Sequence, residues 1–358
     1  MMEDFGLYLV MTDPVTGYEK CCEAAVAAGV KMVQLRMKDA THEELTAMAK
    51  RLAAITRGSA TKLIVNDDPL AAAESGADGV HVGQGDMAPE EVRRRWPQIG
   101  IVGLSTHSPE QVAAAVAQKP DYIGVGPVYA TPTKKIPDPV LGLDTMAKMI
   151  AAAPCPAVAI GGIDAGNLAK VRSAGARNWA VVRAVCRAAD PGEAIRRVSG
   201  KDPFVRQARL GDAESIFALI HRNRDLLVPR SLGNIIENID RFCVAVCGDD
   251  ITGCAAYQIH PEIGRTEATV EVQSLAVRSP YRRKGIGRML VEAVADKARP
   301  CGAKEAIALT FAPEFFSALG FHEIPKAGIL HKLYTGCLNC TRHADPFTCP
   351  EIAMSRAL

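Results

Sequence analysis

Polar and charged residues recur through the first half of the chain, each group directly after a short apolar run rich in β-formers. Gln34, Arg36 and Lys38 close one run, and Asn66, Asp67 and Asp68 close the next. Gln84 and Asp86 follow a third, Ser105 a fourth, Thr131-Pro132-Thr133-Lys134 a fifth and Gly161-Gly162 a sixth. Asp67 and Asp86 are hard oxygen ligands of the kind Mg²⁺ takes, its remaining positions left to water and phosphate. Arg36, Lys38 and Lys134 supply fixed positive charge suited to a diphosphate. Gly161-Gly162 lets a backbone approach an anion closely. One Asp or Lys at a strand end is ordinarily a solvated loop residue, but a series of them at successive strand ends is not. The set suggests metal-assisted departure of diphosphate, with a second phosphorylated substrate opposite.

The elements that position these groups are β/α units. Strand runs fall at Leu7–Met11, Met32–Arg36, Leu63–Asn66, Gly79–Val82, Ile101–Leu104, Tyr122–Gly126, Ala157–Ile160 and Ala180–Arg183. Amphipathic segments such as Tyr18–Ala28, His42–Arg57, Pro109–Ala117 and Ala165–Ser173 separate them. This alternation predicts an α/β fold, a (β/α)₈ TIM barrel whose strand ends ring one mouth. On pattern alone a doubly wound open sheet is the alternative. The polar stretch Ser199–Pro203 reads as a linker, giving domains over 1–200 and 201–358. Beyond it the pattern becomes antiparallel α+β.

A chain of 358 residues suits two domains, and 48% hydrophobic with 23% charged residues argues against disorder. Lys plus Arg numbers 42 against 40 Asp plus Glu, which does not suggest a nucleic-acid or anionic-membrane surface; the partners expected are small-molecule substrates. The most apolar stretch, Met149–Ile163, is broken by Pro154, Pro156, Gly161 and Gly162, short of a bilayer span. The acidic start Met1-Met2-Glu3-Asp4 does not read as a signal peptide. The expectation is a cytoplasmic protein whose 11 cysteines are reduced.

In the second half, Leu275-Ala276-Val277 ends a strand run and Arg282-Arg283-Lys284-Gly285-Ile286-Gly287-Arg288 leads into an amphipathic helix. A basic, glycine-bearing loop opening a helix presents backbone N–H groups and a positive dipole end to a phosphate. Near the C-terminus, Cys337-x-x-Cys340 with Cys349, and His343 between them, has partial spacing for a tetrahedral Zn²⁺ site. Packed or redox-sensitive thiols fit that spacing as well.

Residues 5–199 resemble the thiamine-phosphate synthases through Gln34–Lys38, Asn66-Asp67-Asp68, Gly79–Asp86, Asp121–Val128, Thr131–Lys134 and Ala159–Gly162, in the family's order. The resemblance implies coupling of hydroxymethylpyrimidine diphosphate to hydroxyethylthiazole phosphate, with diphosphate leaving before a pyrimidine-stabilised cation is captured. It assigns Gln34, Arg36, Lys38, Asn66, Ser105 and Lys134 to the pyrimidine diphosphate, with Ser105 and Lys134 among the catalytic residues. It assigns Asp67 and Asp86 to Mg²⁺, and Thr131, Pro132, Thr133, Gly162, Val182 and Arg183 to the thiazole phosphate. Arg183 stands where the family usually has a small Ser; it adds a phosphate contact or crowds the pocket.

Residues 204–356 resemble GNAT acetyltransferases, whose loop at Arg282–Gly287 holds the pyrophosphate of acetyl-CoA. Val228–Ser231, Glu271–Val277, Ala308–Thr310 and the cysteine tail are similar to short N-acetylglutamate synthases, enzymes of arginine biosynthesis. That resemblance implies acetyl-CoA as co-substrate, Glu271 as candidate base and Arg230 as a bidentate grip on an acceptor carboxylate. Read as residues alone, Glu271 is equally an exposed strand charge and Arg230 a loop Arg. Phe316 stands where many of these enzymes carry a Tyr acid, so the departing thiolate must be protonated elsewhere. A domain that senses acetyl-CoA without turnover, or one that acetylates another amine, is the alternative.

Overall fold

The computed structural model describes residues 2–131, 138–248, 250–261, 268–333, 337, 345 and 347–358. The chain forms two compact units, Met1–Asp202 and Pro203–Leu358. No helix among the described residues is long and apolar enough to cross a membrane.

The first unit is a closed barrel of eight parallel strands in sequence order: β1 (Leu7–Met11), β2 (Met32–Leu35), β3 (Lys62–Asn66), β4 (Gly79–Val82), β5 (Ile101–Thr106), β6 (Tyr122–Val125), β7 (Ala157–Ala159) and β8 (Asn178–Val181). Alternation along each strand sorts its residues between two cores. In β1, Leu7, Leu9 and Met11 pack outward against the helices, whereas Tyr8 and Val10 fill the barrel interior with Met32, Ile64, Tyr122 and Val158. The helices begin on strong local signals. Thr41 and Glu44 form a capping box on His42–Thr56. Asp68, Ser108 and Asp190 cap helices whose first residue is proline, where a missing N–H costs nothing.

β8 starts two residues before the apolar run that marks it, and Arg183 opens a short helix, Arg183–Cys186, instead of ending the strand. The cause is Asn178, buried although polar. Its Oδ1 accepts from Phe5 N at 2.7 Å and Gly6 N at 3.0 Å, and its Nδ2 donates to Asp4 Oδ1 at 2.9 Å. The seam between β8 and β1 is thus pinned at the end opposite the mouth.

The second unit is a seven-stranded mixed sheet. Its strands are β9 (Phe204–Gln207), β10 (Phe242–Cys247), β11 (Asp250–Pro261), β12 (Ala268–Val277), β13 (Ala303–Thr310), β14 (His322–Glu323) and β15 (Ile352–Ala357), in the order β14-β15-β13-β12-β11-β10-β9. Helix Ile286–Ala298 packs its apolar face (Ile286, Leu290, Val291, Val294) on one side of the sheet, and Ala213–Arg222 packs on the other. β12 and β13 are the parallel pair, and they pair only from Ala268 to Glu271 and Ala303 to Ile307. Beyond Glu271 the strands part. At the same place β12 carries a bulge opposite Cys254–Ala256, where Ser274 takes a left-handed φ of 49°.

Candidate active sites

A cavity of about 840 Å³ opens at the C-terminal ends of the barrel strands. Gln34, Arg36, Lys38, Asn66, Asp67, Asp86, Ser105, Thr131, Gly162, Val182 and Arg183 all line it, so seven consecutive strands, β2 to β8, deliver their terminal groups to one space. Pro132, Thr133 and Lys134 lie outside the described residues.

Asp67 and Asp86 adjoin. Burial first, then the charge and hydrogen bond of Asp86, push the Asp67 carboxyl up to about 6, while Asn66 and Arg36 pull the other way. Asp67 sits at a left-handed φ of 64° with its N–H donated to His81 O at 2.8 Å, and Asp86 Oδ2 accepts from Gly83 N at 2.7 Å. Two carboxylates held together against their own repulsion are a donor pair that a small divalent cation relieves. Among the described residues no cluster of three or more His, Cys, Asp or Glu is placed to hold a metal. The pair therefore suits a cation that keeps water or phosphate oxygens in its remaining positions. Across the cavity, Gly161 and Gly162 have φ of 102° and 65°, and a Cβ on Gly162 would stand 2.7 Å from Tyr129 Cβ and 2.8 Å from Ala130 O. Only glycine fits there.

The floor carries residues that the strand-end reading missed. Gln34 Nε2 donates to Tyr8 OH at 2.8 Å, and Tyr8 OH lies 2.8 Å from Tyr122 OH. Tyr122 OH is 3.0 Å from His81 Nδ1, and His81 Nε2 is 2.9 Å from Ser105 Oγ. Five strands contribute one residue each to this chain. Inward alternation in β1, β4 and β6 was the available signal, since a polar side chain facing a barrel interior must find a partner.

The second unit holds a cavity of about 840 Å³ where β12 and β13 separate. Leu275, Ala276, Val277, Arg282, Arg283 and Gly287 line it together with Glu271 and Arg230. Gly285, at φ 79°, ends the loop and starts the helix. Of the remaining loop residues, Ile286 is in the core, Lys284 Nζ lies 5.5 Å over the Tyr281 ring, and Arg288 Nη2 donates to Ala318 O at 3.0 Å. Those three are occupied elsewhere.

Glu271 is not an exposed strand charge: it is 5% accessible. Three groups converge on its Oε2, Lys332 Nζ at 2.9 Å, His260 Nε2 at 3.0 Å and Gln273 Nε2 at 2.6 Å. Burial alone would raise its carboxyl, but the bonds to His260, Lys332 and Gln273 outweigh that and hold it low. Arg230 is similarly committed, donating to Ser274 Oγ at 2.9 Å, Asn234 Oδ1 at 2.9 Å and Gln273 Oε1 at 2.6 Å. Phe316 is buried in the core. Of the cysteine cluster, Cys337 lines the cavity and Cys349 Sγ lies 3.6 Å from Glu351 Oε2; Cys340 and His343 lie outside the described residues.

A closed parallel barrel with an acidic pair, cations and a glycine turn at its mouth is the architecture of a (β/α)₈ enzyme acting on phosphorylated substrates. Residues 7–185 match the family model described as thiamine monophosphate synthase, and through that unit the chain belongs to this family. Residues 214–324 match the acetyltransferase (GNAT) family. A thiamine-phosphate synthase of Thermus thermophilus is 45% identical over 198 residues, covering 53% of this chain and 93% of that protein. One from Laribacter hongkongensis is 41% identical over 202 residues, covering 55% and 95%. The solved thiamine phosphate pyrophosphorylase from Pyrococcus furiosus superposes with a TM-score of 0.51 at 30% identity, covering 55% of this chain and 94% of that one.

Proposed function

We propose that the barrel joins hydroxymethylpyrimidine diphosphate to hydroxyethylthiazole phosphate, giving thiamine phosphate and diphosphate. The observation that carries this is the gathering of Arg36, Lys38, Asp67, Asp86, Ser105 and Gly162 in one cavity, within a chain of this family. The pyrimidine methylene C–O bond breaks with its electron pair leaving on diphosphate, and the thiazole nitrogen lone pair closes the new C–N bond. No proton need be removed for either event. Arg36 and Lys38 oppose the charge that grows on the leaving group, which is electrostatic work and not general-base work. A Mg²⁺ held by Asp67 and Asp86 supplies further positive charge there when bound. The Gly161-Gly162 turn, with Val182 and Arg183, takes the thiazole phosphate. Full-length protein given both substrates and Mg²⁺ forms thiamine phosphate; absence of product removes the reading.

For the second unit we infer acetyl transfer from acetyl-CoA to the amine of an amino acid, with glutamate as the acceptor. The basic loop lies beside a parted strand pair, and Glu271 and Arg230 share that cavity. The amine forms a C–N bond with the acetyl carbon while the C–S bond breaks to release CoA thiolate. Glu271 keeps Oε1 outside its three bonds and accepts the amine proton there, directly or through water. Arg230 exchanges its Gln273 and Asn234 bonds for the acceptor carboxylate. The internal bonds that Glu271 Oε2 and Arg230 already make also favour a second reading, a domain that binds acetyl-CoA as a sensor. An acetyl-CoA assay across free amino acids separates them: turnover with glutamate supports transfer, and calorimetric binding without turnover supports sensing.

A further inference from the structure

The polar chain on the barrel floor has a direction, and its direction can be counted. It contains four links, Gln34 to Tyr8, Tyr8 to Tyr122, Tyr122 to His81 and His81 to Ser105. Each link consumes one proton. A tyrosine hydroxyl, a serine hydroxyl and a neutral imidazole each have one to give, and an amide can present either its NH₂ or its oxygen. With Gln34 Nε2 donating to Tyr8 OH, the Tyr8 proton goes to Tyr122 and the Tyr122 proton to His81 Nδ1. His81 then carries its proton on Nε2 and gives it to Ser105 Oγ. Two groups are left over for the cavity: the Gln34 Oε1 acceptor at one end and the Ser105 O–H donor at the other.

The opposite polarity inverts both ends together. Ser105 would donate to His81, and Gln34 would show its NH₂ to the cavity. With His81 neutral, a mixed state, with both ends donors or both acceptors, breaks a link in a buried place. Tyr8 is 2% accessible and Tyr122 is fully buried. Burial, foremost, keeps both hydroxyls protonated far above the ordinary tyrosine range, so neither link loses its proton to solvent. The protein also reserves space for the chain. A Cβ on Gly103 would lie 2.2 Å from Tyr122 Cζ and 2.6 Å from His81 Nδ1.

We propose that Tyr8, Tyr122 and His81 are positioning residues that lock Gln34 as an acceptor and Ser105 as a donor, making this floor specific for an aminopyrimidine over its oxo counterpart. An aminopyrimidine offers an exocyclic N–H to Gln34 Oε1 and a ring nitrogen lone pair to Ser105. The 4-oxo ring offers a carbonyl and a ring N–H, the inverse pattern, and meets it only if all five groups turn at once. A site that must leave a buried polar group unpaired rejects such an analogue strongly. This deepens the thiamine-phosphate reading and rests on it.

The test compares 4-amino and 4-oxo forms of the 5-hydroxymethylpyrimidine diphosphate, each with the thiazole phosphate, in full-length wild type, Tyr122→Phe and Tyr8→Phe. Each variant removes one hydroxyl and keeps its ring. The expected result is an amino-over-oxo ratio in kcat/KM that falls at least about tenfold in both variants, because a cut chain lets Gln34 and Ser105 turn independently. A purely structural role would lower both substrates together and leave the ratio alone. An unchanged ratio in folded variants overturns the proposal, as does a wild-type ratio near one. Wild type that makes no thiamine phosphate from the amino substrate overturns the underlying reading and this one with it. ¹⁵N shifts of His81 in wild type test the polarity without any variant: the Nε2–H tautomer is expected, and Nδ1–H overturns it.

Discussion

The two cavities have the same volume, about 840 Å³, and opposite constructions. The barrel gathers its terminal groups from seven separate strands, so each one is placed by closure of the whole ring. The second unit makes room by letting two strands part, and it relies on one local loop for phosphate. Their charged residues differ in the same sense. In the barrel, two like charges are forced together at Asp67 and Asp86, which leaves them in want of a cation. In the second unit, Glu271 and Arg230 are already satisfied by protein partners. One site is strained toward its ligand, and the other must give up internal bonds to receive one.

The largest expected effect tests the strained side. Asp86→Ala should lower thiamine phosphate formation by about a thousandfold, and chelation of wild type should do likewise until Mg²⁺ is returned. Full activity in chelator would erase the contrast. On the satisfied side, Lys332→Met strips the buried Glu271 of its opposing charge and should destabilise the second unit by about 3 kcal/mol, read as an earlier denaturant midpoint for that unit with the barrel transition unmoved. Gly103→Ala should cost the barrel about 2–3 kcal/mol by overpacking against Tyr122, whereas Gly285→Ala, in open space but at φ 79°, should cost about 1 kcal/mol through backbone alone. Equal losses in differential scanning calorimetry would show that space does not distinguish the two glycines.

Acid should sharpen the comparison further. Glu271 has a folded pKa held below its unfolded value of about 4.3, so its contribution is complete above that value and drains as pH falls through the lower, folded one. Asp212 behaves alike: burial raises its carboxyl, but Arg206 at 2.7 Å and the Arg209 N–H hold it low. Melts of the second unit should therefore weaken below about pH 4, and a melting temperature flat to pH 3 would contradict that. The smallest effect is Arg283→Ala, which should weaken acetyl-CoA binding about threefold by calorimetry without touching thiamine phosphate output.

What could be read from sequence follows from the same contrast. Strand ends repeat, so Gln34, Arg36, Asp67, Asp86 and Ser105 announce themselves by position in the sequence alone. Tyr8, His81 and Tyr122 lie inside strands, where their polarity is hidden among apolar neighbours. The onset of β8 was masked because Asn178 looks like a loop residue until its seam partners are known. Glu271 reads as a strand charge because its partners come from β11 and from a helix 61 positions onward, at Lys332. Long-range pairing of that kind leaves no local trace, whereas closure of a repeating fold does.

Asn178 carries a practical warning for genetics. Its amide ties the opening of the ring to its closing strand at the N-terminal ends of the barrel strands. A lesion there would spread through all eight staves, much as a cut hoop slackens a cask, and an activity screen would score it beside true active-centre mutants. Assays at low temperature or with stabilising osmolyte should rescue such a lesion and leave Asp86 variants dead, which sorts the two classes without a further structure.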